Sequence, residues 1–268
     1  MQNAAQELRT KQTALTKGLA SNAFQLLYQP IYNIQHDQKH DSTAIYAVEA
    51  LLRWHHDGNC YTPQSFLDLL EDSDEILAVG AWVLKTACAA VHQWQQSLTP
   101  QLHCSVNLSY KQLRSVHLVS LVKAALESSG LEATYLIIEI AEQHLKTNCT
   151  QSLANLRELS QLGVQIALDN FGIGHASLGY LKRFPLDILK VDKSLINNTQ
   201  HEPSLKDFSL AVINLGHSLK LKVIAEGIEN ADQLALIQAN QCQYAQGYLL
   251  SSPLTAQQFT ALISSPAK

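Results

Sequence analysis

Apolar and polar positions alternate in blocks along the chain. Short runs rich in β-branched and aromatic residues recur from one end to the other: "FQLLYQPIY" (24–32), "IYAVEALLRW" (45–54), "LHCSVNLS" (102–109), "YLIIEIAE" (135–142), "VQIALDNFG" (164–172), "LDILKVDKSLI" (186–196), "LKVIAEGIE" (221–229) and "CQYAQGYLL" (242–250). Their length and composition predict eight strands. Several are apolar on both faces, as parallel strands covered by helices are. The stretches between them carry helical spacing. Residues 62–96 open on Thr62 and Pro63, an N-cap and first-turn pair. Leu205, Phe208, Val212, Leu215 and Leu219 keep one apolar face before the seventh strand. Strands alternating with helices eight times predict an α/β fold, a TIM-like (β/α)8 barrel. The first two strands are joined by the short polar "NIQHDQKHDSTA". A parallel crossover usually needs a helix there, so the first strand is predicted antiparallel to the second.

Each run carries a polar residue in its second half, inside an otherwise apolar stretch: Gln29, Glu49, Asn107, Glu139, Asp169, Lys190, Glu226 and Gln246. Singly, each reads as a rim ion pair, a cap or a solvated charge. Jointly they say more, because the C-terminal ends of barrel strands converge on one mouth. Four carboxylates and an amide oxygen gathered there repel one another unless a cation sits between them. All-oxygen ligands select a hard ion, Mg²⁺ or Mn²⁺, or less productively Ca²⁺. The eleven histidines include no H-E-x-x-H pair. A carboxylate ring with one lysine suits metal-assisted attack by water on a phosphodiester. Lys190 would orient that water, or deprotonate it if its own pKa were depressed. Arg53, four residues after Glu49, would clamp a phosphate. "GIGHASLG" has G-x-G-x-x-x-x-G spacing and does not match a dinucleotide fingerprint.

Composition narrows the classes further. A net charge of −4 without any block of like charge leaves no electrostatic footprint for nucleic acid or an anionic membrane. Five scattered cysteines (Cys60, Cys88, Cys104, Cys149, Cys242) form no C-x-x-C pair, which suits a reducing compartment and a cytoplasmic location. Stretches such as "ILAVGAWVL" fall short of the roughly 20 residues a membrane span requires. No composition shift marks a second domain, so one domain is expected, with a core over about residues 15–260 and a short extension before it.

The strings "YQPIY", "EALLRW", "SVNLS", "EIAE", "FPLDILKVDKSL", "VIAEGIE" and "QGYLLSSPL" together resemble the EAL domain, a bacterial phosphodiesterase module for cyclic di-GMP. The resemblance covers nearly the whole chain. It implies a TIM-like barrel with an antiparallel first strand and hydrolysis of cyclic di-GMP to linear pGpG with two Mg²⁺ or Mn²⁺ ions. Carried over by motif, Glu49, Asn107, Glu139 and Asp169 would hold one metal, with Asp169 bridging to a second near residue 170 and Glu226. Lys190 would attend the nucleophilic water, Gln29, Arg53 and Gln246 would line the ligand, and Glu142 would steady the loop after the fifth strand. A homodimer is also implied.

One loop departs from the pattern. Where the family carries D-D-F-G-T-G-Y-S-S, this chain reads "DNFGIGHAS", with Asn170, Ile173, His175 and Ala176 as replacements, and Ala141 stands in "EIAE" where Thr is usual. An amide oxygen can ligate a metal but brings no charge, so the second metal is expected to bind more weakly. The alternative to an enzyme is a catalytically inactive module that senses cyclic di-GMP or docks a protein.

Overall fold

The structure, a computed structural model, describes residues 10–35, 45–97, 99–145, 150–172, 178–197 and 203–264, with the backbone alone at 178–180, 197 and 203–206. Nine strands form one sheet: β1 (Phe24–Asn33), β2 (Ile45–His56), β3 (Asn59–Tyr61), β4 (His103–Leu108), β5 (Leu136–Ala141), β6 (Gln165–Phe171), β7 (Ile188–Val191), β8 (Lys222–Ala225) and β9 (Tyr244–Ala245). The order β1-β9-β8-β7-β6-β5-β4-β2 closes through a β1–β2 pairing into an eight-stranded barrel, and β3 folds back on β2 as a hairpin outside it. β1 runs antiparallel to both β2 and β9, and the remaining barrel pairs are parallel. The predicted fold class and the reversed first strand are both present. Most of the first connection, residues 36–44, lies outside the described residues.

The period-two alternation of a strand places its successive inward side chains in layers. Ile31, Ala47, Ile137, Ala167, Ile188 and Ile224 meet as an apolar plug inside the barrel. One inward step toward the mouth on the same strands stand Gln29, Glu49, Glu139, Asp169, Lys190 and Glu226. One step the other way, Lys222 Nζ donates to Tyr46 Oη at 3.0 Å and to Gln165 Oε1 at 2.9 Å, closing the floor. Hence the polar mouth rests on a dry layer that keeps water from reaching it from below.

Several elements differ from their predicted bounds. Thr62 and Pro63 start a 3₁₀ turn, Pro63–Ser65, and the stretch then breaks into helices Leu67–Glu71 and Glu75–Ser97. The second of these buries Ile76, Val79, Val83, Leu84, Ala87, Val91 and Trp94 at three-to-four spacing. By length and composition it could cross a membrane, which the shorter apolar runs in the sequence did not suggest; here one face packs on the barrel. Helix Pro203–Ser218 turns Ser209, Val212, Ile213 and Gly216 inward, with Leu215 and the following Leu219 also packed on the core, so of the predicted stripe Phe208 departs, half-exposed, and the side chain of Leu205 lies outside the described residues. Gly216 explains the rotation: a Cβ there would press on Val223 and Leu189, so this is the face on which the helix can approach the sheet. The last three barrel strands are shorter than predicted, ending at Val191, Ala225 and Ala245.

Candidate active site

Because the outward alternate positions on each strand are taken up by helix packing, the inward ones at the strand ends have nowhere to point but the mouth. Glu49 on β2 faces Gln29 on β1 in register, and Asn107 on β4 faces Glu139 on β5. Glu226 and Gln246 stand just past β8 and β9, yet their backbone N–H groups still donate to Val191 and Ala225, at 3.0 and 2.9 Å. That extension of the ladder fixes both side chains.

The ammonium of Lys190 is fully buried and stands where the carboxylates converge. It lies 2.6 Å from Glu139 Oε2, 2.8 Å from Glu226 Oε1, 3.2 Å from Glu49 Oε2 and 3.5 Å from Asp169 Oδ1. Amides fill the remaining directions. Asn107 Nδ2 donates to Glu49 Oε1 at 2.7 Å, Gln246 Nε2 to Glu49 Oε2 at 2.9 Å and to Gln29 Oε1 at 3.1 Å, and Ser105 Oγ to Glu139 Oε1 at 2.5 Å. Eight of the sequence-predicted residues are thus brought together at one mouth.

One ammonium cannot compensate four clustered carboxylates, three of them buried and Glu226 partly exposed. Burial alone would lower the pKa of Lys190, but Asp169, Glu139, Glu226 and Glu49 outweigh it and hold the lysine charged well above its ordinary range. In the metal-free ring the condition set for Lys190 to act as a base is not met, because its pKa is raised, not depressed. Burial, reinforced by the charge of Glu49, pushes Glu139 far up, and burial pushes Glu226 up to about 8 despite Lys190. Asp169 is raised by burial and by Glu49. Glu49 alone goes down, because Lys190, Gln246 and Asn107 more than offset its burial. The site retains protons for want of positive charge.

That deficit is the test of whether a hard cation fits. Among the described residues no three His, Cys, Asp or Glu side chains form a ready metal cage. The donor set nevertheless suits one: the ring is all oxygen, undercompensated, and Asp169 Oδ1 is buried with only the long Lys190 ion pair for company. Gln246 Oε1 is likewise buried and has no hydrogen-bond partner among the described residues.

The other three predicted site residues sit at the margin. Arg53 Nη1 donates to the carbonyl of Leu52 at 2.8 Å and, among the described residues, makes no ion pair. Glu142 Oε2 accepts from Gly172 N–H at 3.2 Å, tying the turn after β5 to the end of β6. Gly172 has φ +105°, and a Cβ on it would run into Leu195, so no other residue fits this tie. Asn170 has φ +56° and donates through Nδ2 to Asp169 Oδ2 at 2.6 Å. Ile173, His175 and Ala176 lie outside the described residues. Ser105 was missed by sequence reasoning; its place one inward step below Asn107 was the available signal.

Comparison with known proteins agrees with this geometry. The family model described as "EAL domain" matches residues 12–253. Cyclic di-GMP phosphodiesterase NbdA of Pseudomonas aeruginosa is 36% identical over 252 residues, 94% of this chain and 31% of that protein. The bifunctional diguanylate cyclase/cyclic di-GMP phosphodiesterase MucR of the same organism is 38% identical over 218 residues, 81% of this chain and 32% of that protein. The solved structure of the PaMucR phosphodiesterase in complex with c-di-GMP superposes with a TM-score of 0.86 at 35% identity, covering 93% of this chain and 99% of that one. The chain spans about a third of the length of these curated relatives.

Proposed function

We propose that this chain, which belongs to the EAL domain family, hydrolyses one phosphodiester bond of cyclic di-GMP to give linear pGpG, using Mg²⁺ or Mn²⁺. The observation that carries the reading is the convergence of Glu49, Glu139, Asp169 and Glu226 on one buried point, with Asn107, Gln29 and Gln246 closing around it. In this reading Glu49, Asn107, Glu139, Asp169 and Glu226 would hold the metal, and Asn170 would join them only by giving up its bond to Asp169. Bound there, a divalent ion lowers the pKa of the attacking water and neutralises charge developing on phosphate.

The protein's own groups do the rest. Lys190, kept as ammonium, donates to the attacking oxygen and orients it without removing its proton. Arg53, whose Nη1 donates to the carbonyl of Leu52 and which makes no ion pair among the described residues, would turn its fork onto a phosphate. Gln29 Nε2 is held by the carbonyl of Ser251 at 3.0 Å, its Oε1 accepts from Gln246 Nε2, and Gln246 also donates to Glu49, so the two amides are fixed side by side at the edge of the ligand site. Glu142 positions the β6 end through Gly172. The free Cys60, Cys88, Cys104 and Cys242 support a reducing, cytoplasmic setting.

A second reading, a catalytically silent receptor for cyclic di-GMP, is favoured by one feature: the Asn170 amide engages Asp169 where the family pattern has a second carboxylate. Incubation with cyclic di-GMP and Mg²⁺ or Mn²⁺ separates the two. The enzyme reading expects pGpG from the native chain and none from Glu49→Ala; nucleotide binding without pGpG would establish the receptor.

A further inference from the structure

We propose that Asn170 restricts this chain to a single divalent cation, bound on the Lys190 side of Asp169, by occupying the carboxylate oxygen through which a second would be bridged. The inference rests on the metal-dependent reading above and concerns how many ions that site takes.

Simple alternation along β6 would send the side chain after Asp169 out of the barrel. The backbone prevents this. Pairing between β6 and β7 is regular through Leu168–Leu189, slips, and resumes at Phe171–Val191, and Asn170 sits inside the slip with a left-handed φ of +56°. An irregularity of this kind re-aims a side chain, and here it returns the amide beside Asp169. The resulting bond, Nδ2 to Oδ2 at 2.6 Å, is short and charge-assisted.

The two oxygens of Asp169 therefore differ. Oδ1 faces the converging carboxylates and, among the described residues, meets Lys190 alone, 3.5 Å away. Oδ2 is covered by an N–H donor. For Asn170 to become a ligand, its amide must rotate, surrender the bond to Asp169 and offer a neutral oxygen in return. An aspartate at 170 has no donor to place there and adds a charge. Asparagine and aspartate both tolerate the left-handed conformation, so exchanging them leaves the backbone in place.

Mn²⁺ titration of metal-stripped protein tests this, read by isothermal calorimetry and by the electron paramagnetic resonance of bound Mn²⁺, for the native chain and Asn170→Asp. The expected result is one ion per native chain. The variant takes two over the same concentration range and shows the exchange-coupled spectrum of a close Mn²⁺ pair. Two ions in the native chain overturn the proposal while leaving the metal-dependent reading intact. One ion in both proteins overturns it as well, since residue 170 would not set the number. No ion in either contradicts the metal-dependent reading itself.

Discussion

Replacing Lys190 by Met keeps the length and apolar stem of the side chain and deletes the ammonium. The metal-free variant then holds four carboxylates around an apolar atom, where the native chain has contacts of 2.6, 2.8, 3.2 and 3.5 Å. Removing one partner of a buried ion pair costs about 3–5 kcal/mol. The variant can escape part of that cost by binding protons, which gives the effect a pH signature. Glu226 already titrates at about 8 in the folded chain, against roughly 4.3 when unfolded. Between those values the folded state holds a proton that the unfolded state lacks, so stability falls as pH rises through the window. Losing Lys190 raises the carboxylates further and deepens the fall. Urea unfolding in EDTA at pH 5.5 and pH 8 is the assay. Lys190→Met should lose little at pH 5.5 and about 3–5 kcal/mol at pH 8, and Mn²⁺ at a hundredfold over its Kd should return about 2.7 kcal/mol. A variant as stable as the native chain in EDTA at pH 8 would refute the view that Lys190 neutralises this ring.

Arg53→Ala should raise KM for cyclic di-GMP by roughly 10- to 100-fold, the worth of a charge-assisted phosphate contact, with kcat and melting temperature unchanged; steady-state kinetics with calorimetry decide it. Gly172→Ala must strain a φ of +105° and push Leu195 aside, and should cost about 1–3 kcal/mol in urea unfolding. On the floor of the barrel, burial and then the charge of Lys222 bring His103 down to about 4. The unfolded chain takes up that proton near 6.5 and the folded one does not, so stability present above 6.5 is lost as pH falls toward 4, by roughly 3 kcal/mol. His103→Gln should flatten that acid limb relative to the native chain in parallel urea titrations.

The carboxylate ring was legible in the sequence because strand periodicity and barrel topology leave little choice. Glu139 two residues after Ile137, Asp169 two after Ala167 and Lys190 two after Ile188 must all point inward, and parallel register brings their ends to one level. What depends on neighbours in space was not legible. The charge state of Lys190 follows from how closely the four carboxylates approach its ammonium, and strand alternation brings them to one mouth without giving those distances. The direction of the Asn170 amide depends on a slip in β6–β7 pairing that hydrophobic patterning does not encode. Helix bounds suffered similarly. Phe208 fits the apolar stripe as well as its neighbours do, but Gly216 sets which face meets the sheet. The shortness of β7, β8 and β9 is hidden in the sequence because the apolar runs continue past the strand ends: Leu195 and Ile196 belong to the helix Lys193–Asn197, and residues 248–250 form a turn.

The most direct measurement is pGpG release from EDTA-treated protein mixed with cyclic di-GMP, followed before and after addition of MnCl₂. The account predicts no product until the metal arrives and steady turnover afterwards. Product formed in EDTA, or none after Mn²⁺, would contradict it.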